Sequence, residues 1–319
     1  MIQTGLTRMF GLRHPIVLGA MGGVAGGRLA AAVSNAGGLG LVGGGYGDPD
    51  WVRAQLDLVT RETARPWGVG LITWSIRPDV LDLALSYRPA AFLLSFGDPR
   101  PYAARIKAAG CKLICQVQDV SQARVAQEAG ADLIVAEGNE AGGHSGSRAL
   151  FTLAPAVVDA VSPTPVVAAG GIADGRGLAA ALMLGTEGAL MGTRFYATPE
   201  ALGKDPMKSR LVEARGDDTA RTTVFDIVRG FAWPAGFPGR ALRNRFMARW
   251  NGRERDLANA LDIERPAYQA AAETGDFDTA VVWASAAVDL IHSVESAGTI
   301  VERISAEAES RLRACPALD

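Results

Sequence analysis

The sequence predicts an α/β fold: a closed (β/α)8 TIM barrel with a small, mostly helical insertion or cap after the eighth strand. Three observations carry this. Eight short apolar runs alternate with amphipathic helical stretches over about 200 residues, the length such a barrel needs. The runs are near-continuously apolar rather than alternating, as parallel strands covered on both faces are. Several helical stretches end in Ala-Gly or Leu-Gly just before the next run (Ala36–Gly37, Ala109–Gly110, Ala129–Gly130, Leu184–Gly185), where glycine takes the left-handed cap.

In chain order, strands are expected at 15–20, 39–43, 67–73, 90–96, 112–117, 131–136, 165–169 and 187–191, each a β-branched or apolar run bounded by turn residues. Helices are expected between them at 28–35, 49–63, 78–87, 101–109, 121–129, 153–161 and 176–184. A doubly wound open sheet is the runner-up. Its fingerprint fails, because the turn after the first strand, Gly19–Ala20–Met21–Gly22–Gly23–Val24, does not match GxGxxG and no acidic residue holds the ribose position. Beyond Thr198 the alternation stops. Residues 199–215 read as a helix, 216–275 as an irregular insertion carrying Arg and Trp, and 278–294 and 298–314 as two long amphipathic helices. The barrel is therefore assigned to 1–215 and 276–319, with the last helix closing the outer ring, and the cap to 216–275.

Composition narrows the function. Of the 319 residues 48% are hydrophobic, enough for a large core, and 32 basic against 34 acidic residues leave a net charge of −2. That balance gives no reason to invoke nucleic acid or an anionic membrane. No apolar run reaches the ~18 residues of a membrane span, and the N-terminus has no signal pattern. The expected location is cytoplasmic. The three cysteines, Cys111, Cys115 and Cys315 (the last in a terminal helix), are too few for a disulfide framework and read as reduced.

The chemistry sits where strands end. His144, one of three histidines, lies in Glu137–Gly138–Asn139–Glu140–Ala141–Gly142–Gly143–His144–Ser145–Gly146, straight after the sixth strand. A neutral imidazole there can take a proton from a carbon acid or hydrogen-bond an anion. Ala169–Gly170–Gly171 and Gly192–Thr193 follow strands seven and eight, where barrels hold phosphate on backbone N–H groups. Thr193 offers a hydroxyl, and the helix beginning near Asp174–Gly175–Arg176 its N-terminal dipole. Met21, between Ala20 and Gly22, suits a flat ring, and Gln116, ending strand five, offers a neutral amide. Glu137 is expected to point into the barrel; with Glu140 it also makes a candidate catalytic pair. His14 (barrel bottom) and His292 (late helix) read as structural. No His/Cys cluster suggests a metal, and no GxSxG suggests an acyl-enzyme.

Taken together, PIVLGAMGGVAGGRLAAAVSNAGGLGLVGGG, AEGNEAGGHSG and PVVAAGGIADGRGLAAALMLGTEGALMGTRFYAT resemble the nitronate monooxygenase (2-nitropropane dioxygenase) family, over about residues 10 to 200. The DTAVVWASAAVDLI segment near the end echoes it. The resemblance implies an FMN-containing TIM barrel. It implies that Ala20, Met21, Gly22, Gln116, Gly142, Ala169, Gly170, Gly171, Gly192 and Thr193 line FMN and that His144 is the active-site histidine. The implied reaction is oxidation of alkyl nitronates by O2 to a carbonyl compound and nitrite, without NAD(P)H. His144 would hold the anionic nitronate or abstract the α-proton of a neutral nitroalkane.

The alternative is an FMN-dependent NAD(P)H reductase of an enoyl thioester, such as enoyl-ACP, or of a quinone; flavin-dependent enoyl-ACP reductases share the EAGGH and AAGGIADG blocks. A non-catalytic FMN-binding or phosphoryl-ligand sensor is a third class. Two departures bear on the subfamily: Gly70 stands where many relatives carry Asn, and Gln116 where some quinone reductases carry Lys. The expected partners are a small-molecule substrate and O2, with no nucleic acid and no membrane. In the insertion, Trp233, Phe237, Phe246 and Trp250 are candidate lid residues, and Arg229, Arg240, Arg243 and Arg245 candidate anion contacts. The late apolar segment with Val281, Val282, Trp283 and Val288 can face the barrel or a second subunit of a homodimer.

Overall fold

A computed structural model describes residues 1–314; Cys315 lies outside the described residues. Eight parallel strands form the barrel: β1 (Ile16–Leu18), β2 (Gly40–Gly43), β3 (Trp67–Ile72), β4 (Ala91–Ser95), β5 (Lys112–Val117), β6 (Leu133–Glu137) and, after the two-residue β7 (Gly143–His144), β8 (Val166–Ala169) and β9 (Ala189–Met191). Each matches an expected run to within a few residues. The ring closes between β1 and β2, where Leu18 N donates to Leu39 O and Leu39 N to Ile16 O, both at 2.9 Å.

The apolar runs are explained by two cores. Val17, Leu41, Leu93, Ile114, Val135, Val167 and Leu190 cluster inside the barrel with Leu6 and Phe10 of the N-terminal helix Gly5–Phe10. Their neighbours Leu18, Val42, Phe92, Leu94, Ile134 and Val166 belong to the core beneath the surrounding helices. Alternate residues thus face two different apolar compartments, so both must be hydrophobic. Thr4 Oγ1 donates to Glu187 O just ahead of β9, which fixes the N-terminal helix at the barrel's bottom.

Helices at Gly27–Asn35, Pro49–Glu62, Pro78–Ser86, Arg100–Ala108, Val120–Glu128, Leu150–Val161 and Gly175–Met183 lie between successive barrel strands. The last helix, Ala297–Arg313, packs against Gly175–Met183 and Gly27–Asn35. Among the described residues no helix is long and apolar enough to cross a membrane.

The 199–215 stretch is helical only over Asp205–Glu213. Residues 216–275 hold helices Val224–Arg229, Arg245–Trp250, Glu254–Asn259 and Leu261–Thr274, and also two strands, β10 (Thr219–Thr222) and β11 (Gly239–Leu242). β10, β11 and β7 make a three-stranded antiparallel sheet.

One expected helix is absent. Residues 278–294 contain only a single 3-10 turn, Val288–Leu290, and His292 lies outside any helix. The segment runs extended beside β11: Leu242 N donates to Val282 O at 2.9 Å and Ala284 N to Arg240 O at 3.2 Å. Backbone pairing along this edge outweighs the helical spacing of its apolar residues. Val282 and Val288 are buried within the chain, so they offer no face to a second subunit.

Candidate active site

The C-terminal ends of the strands open into one cavity. Its lining includes Ala20, Met21 and Gly22 after β1, Gln116 in β5, and Gly142 and His144 after β6. Ala169 at the end of β8, Gly170 and Gly171 beyond it, and Gly192 and Thr193 after β9 complete the set. All eleven residues singled out from sequence are thus brought together.

Two glycine loops could cradle an anion. Gly170 (φ +96°) and Gly171 (φ +71°) are left-handed, and a Cβ at Gly170 would lie 2.8 Å from Gly138 O. Among the described residues, no acceptor takes the amides of Gly170, Gly171, Gly192 or Thr193. Free N–H groups on two adjacent loops suit phosphate oxygens. Thr193 Oγ1 accepts from Ser285 N at 3.0 Å, leaving its own proton to donate. Gly142 is required by crowding: a Cβ there would lie 2.6 Å from Ser285 N and 2.7 Å from Thr193 Oγ1.

The helix Gly175–Met183 does not contribute its N-terminus as expected. Asp174 accepts from Gly177 N at 3.1 Å and Glu307 from Gly175 N at 3.0 Å, so carboxylates of the protein already occupy that end.

Gly70 lies within β3, and a Cβ there would collide with the Cβ of Ala20. A larger side chain at position 70 would therefore have to displace Ala20.

His144 is held from several sides. Its backbone pairs with Gly239 of β11. Its Nε2 lies 2.9 Å from Asp226 Oδ2, with the two side chains 8% and 4% exposed. The Trp233 indole stacks on the imidazole at 3.4 Å between centroids and 6° between planes. Trp233 Nε1 donates to Tyr46 Oη at 3.0 Å, and Tyr46 stacks on Phe231 at 3.6 Å. Phe96, after β4, meets His144 edge-on at 6.4 Å with φ +62°. A bulky residue in that region is strained, and its place at the mouth marks the site.

The lid expectations divide. Trp233 lines the cavity, and Phe237 packs on Phe96 at 5.5 Å. Phe246 and Trp250 do not reach it. Phe246 packs with Phe225 and Tyr268, and Trp250 Nε1 donates to Glu264; all but Glu264 belong to the apolar cluster that continues beneath the barrel helices. Of the four arginines only Arg229 lines the cavity, with its guanidinium 4.7 Å above Phe231. Arg240 donates to Asn139 O and Thr219 Oγ1, and Arg245 pairs with Asp278 at 3.6 Å.

Glu137 points into the cavity, as expected, and is 7% exposed. Gln116 Nε2 and Gln118 Nε2 donate to the same oxygen, Oε2, at 2.9 and 3.0 Å. Burial pushes its carboxyl up to about 8, against those hydrogen bonds and the nearby Arg221, which pull it down. At neutral pH Glu137 is thus mainly the neutral acid. Glu140 instead holds backbone. Both its oxygens accept from Leu150 N at 3.0 Å, at the start of helix Leu150–Val161, so it is not part of a catalytic pair.

Asp226, Tyr46, Phe96, Trp283 and Ser285 had not been picked out as site residues from sequence. For Trp283 and Ser285 the signal was the DTAVVWASAAVDLI resemblance, since that segment returns to the mouth. Asp226 carries no local motif.

Comparison with known proteins agrees with this arrangement. A family model described as nitronate monooxygenase matches residues 3–75 and 72–307. The chain is 38% identical to (3aS,4S,5R,7aS)-5-hydroxy-7a-methyl-1-oxo-octahydro-1H-indene-4-carboxyl-CoA dehydrogenase of Mycobacterium tuberculosis, over 82% of this chain and 72% of that one. It is 30% identical to a probable nitronate monooxygenase of Staphylococcus aureus, over 94% and 95%. Among solved structures, FabK from Thermotoga maritima superposes with a TM-score of 0.88 at 33% identity, covering 98% of both chains. Nitroalkane oxidase from Streptomyces ansochromogenes superposes with a TM-score of 0.83 at 30% identity, covering 97% and 99%. With nearly its whole length matched, this chain belongs to the nitronate monooxygenase family of oxidoreductases.

Proposed function

We propose that the protein binds FMN and oxidises alkyl nitronates with O2 to a carbonyl compound and nitrite. The observation that carries this reading is that one cavity holds His144 and two loops whose amides have no protein acceptor among the described residues. Gly170, Gly171, Gly192 and Thr193 would hold the phosphate, while Ala20, Met21, Gly22, Gln116, Gly142 and Ala169 would line the ring. The donor set fits the group: free N–H donors for a dianion, and close glycine backbone with a soft Met21 for a flat ring. FMN, when bound, supplies the electron acceptor that O2 later reoxidises.

His144 is the chain's own contribution to the substrate. Its imidazole holds an anionic nitronate by a hydrogen bond when protonated, or takes the α-proton of a nitroalkane when neutral. The aromatic wall of Trp233, Trp283 and Phe96 keeps water from the imidazole.

A second reading, an FMN-dependent NAD(P)H reductase of an enoyl thioester or a quinone, is favoured by the 38% identity to a protein named a CoA dehydrogenase. Anaerobic titration of the flavin-loaded protein with propionate-3-nitronate, NADH and NADPH separates the two. Bleaching by the nitronate alone, with nitrite formed on admitting air, is the expected result. Fast bleaching by a nicotinamide, with none by the nitronate, assigns the protein to the reductases.

A further inference from the structure

We infer that Asp226 is a positioning residue that fixes the tautomer of His144 and so decides which ring nitrogen meets the substrate. The catalytic consequence rests on the function proposed above; the tautomer does not.

Asp226 lies 82 residues beyond His144, on helix Val224–Arg229 of the cap, with Oδ2 2.9 Å from Nε2. Among the described residues, no arginine or lysine forms an ion pair with this carboxylate, and its other oxygen, Oδ1, is enclosed without a partner. The imidazole is therefore the group that compensates a buried Asp226.

An ionised carboxylate only accepts hydrogen bonds. A neutral His144 must then carry its proton on Nε2, leaving the lone pair on Nδ1. Nδ1 has no hydrogen-bond partner among the described residues, and the ring lines the cavity. Turning the ring over about Cβ–Cγ would put Cε1 against Asp226 in place of Nε2, and Cδ2 where Nδ1 stands. That motion breaks the bond to Asp226 and must slide the imidazole out from its parallel stack on Trp233. One edge and one face are both fixed, so Nδ1 is the acceptor presented to substrate.

This separates two substrates that differ by one proton. A neutral nitroalkane needs a base: its α C–H bond breaks, the electron pair becomes the C=N bond of the nitronate, and the proton goes to Nδ1. The product is a nitronate anion beside an imidazolium whose Nε2–H still faces Asp226. A nitronate supplied as such has already lost that proton. The Nε2–H tautomer is thus demanded by the first substrate, whereas the second needs only a hydrogen-bond donor.

Two measurements test this on the full-length, flavin-loaded protein. In 15N NMR of histidine-labelled protein at mildly alkaline pH, with His144→Gln to assign the signal, the wild type should show His144 as the Nε2–H tautomer, and Asp226→Asn should shift it to the other tautomer or a mixture. A wild-type ring that is mixed or protonated on Nδ1 overturns the inference without any appeal to activity. In turnover, Asp226→Asn should lose about 100-fold or more on a nitroalkane, and at least tenfold less than that on its preformed nitronate. Equal losses on both would make Asp226 merely structural and sink the positioning role. Wild-type protein inert to both substrates would count against the proposed function, and the NMR result would still decide the tautomer.

Discussion

Glu137→Gln is the perturbation whose size follows most directly from the site. Gln116 and Gln118 both donate to Oε2, so a glutamine carbonyl can take that place and its amino group can stand where the acid's own proton sits. The substitution keeps shape and removes titration. Burial holds the carboxyl at about 8 in the folded chain, against an ordinary 4.5. Each tenfold in proton affinity is worth about 1.4 kcal/mol, so the gap corresponds to about 5 kcal/mol as an upper limit, reduced by any water that reaches the mouth.

The folded state keeps a proton that the unfolded state gives up between pH 4.5 and about 8. Stability from this group is therefore fully present below the lower value and is lost as pH rises through the higher one. Urea unfolding of wild type and variant, carrying the same cofactor load, at several pH values across this window is the assay. The variant should gain on the wild type as pH rises, by several kcal/mol in total. A difference between the two that stays constant within about 0.5 kcal/mol across the window would refute the buried neutral acid.

Three further outcomes are expected. Gly142→Ala puts a Cβ against backbone at Ser285 and against Thr193, a crowding of about 1–3 kcal/mol, and should cut flavin retention on gel filtration by about tenfold; retention equal to wild type would mean Gly142 does not shape the ring site. Trp233→Ala removes the stack on His144 and should cost about 1 kcal/mol in thermal unfolding while raising KM; unchanged values of both would remove Trp233 from the substrate wall. Cys115 is buried and its thiol pushed up to about 12, so peptide mapping after a thiol reagent should find it modified in urea but not in the native protein, and native labelling would contradict the packing of β5.

The barrel strands were legible because each is a short apolar run whose two faces meet two apolar compartments, a constraint written wholly within the run. The glycine-loop side of the mouth was legible for a similar reason: Gly142, Gly170, Gly171 and Gly192 sit in loops that follow strands, and their crowding or open amides follow from that placement. The substrate side was not. The 278–294 stretch has apolar residues at helical spacing, but pairing with β11, which lies some forty residues earlier, decides its conformation. Gly175 looked like a phosphate-binding helix start until Glu307, from the last helix, took its amide. Each misreading turns on a partner remote in sequence, which local pattern cannot report.

The same non-local logic makes His144 the joint between barrel and cap. Its backbone is a strand of the cap sheet, its Nε2 is bonded to a cap helix, and its ring face is covered by a cap indole. The Trp283 ring packs where a Cβ on Gly239 would stand, directly opposite His144 in the sheet, so the return segment also sets this register. Ser285 then links that segment to both halves of the mouth, through Thr193 Oγ1 on one side and Glu140 O on the other. Phe225 in turn packs edge-on against Trp283, which packs on His144, so apolar residues remote from the glycine loops touch the imidazole's own neighbours. The glycine loops and the histidine's surroundings are thus set by different parts of the chain, and the residues that aim the imidazole lie in no single motif.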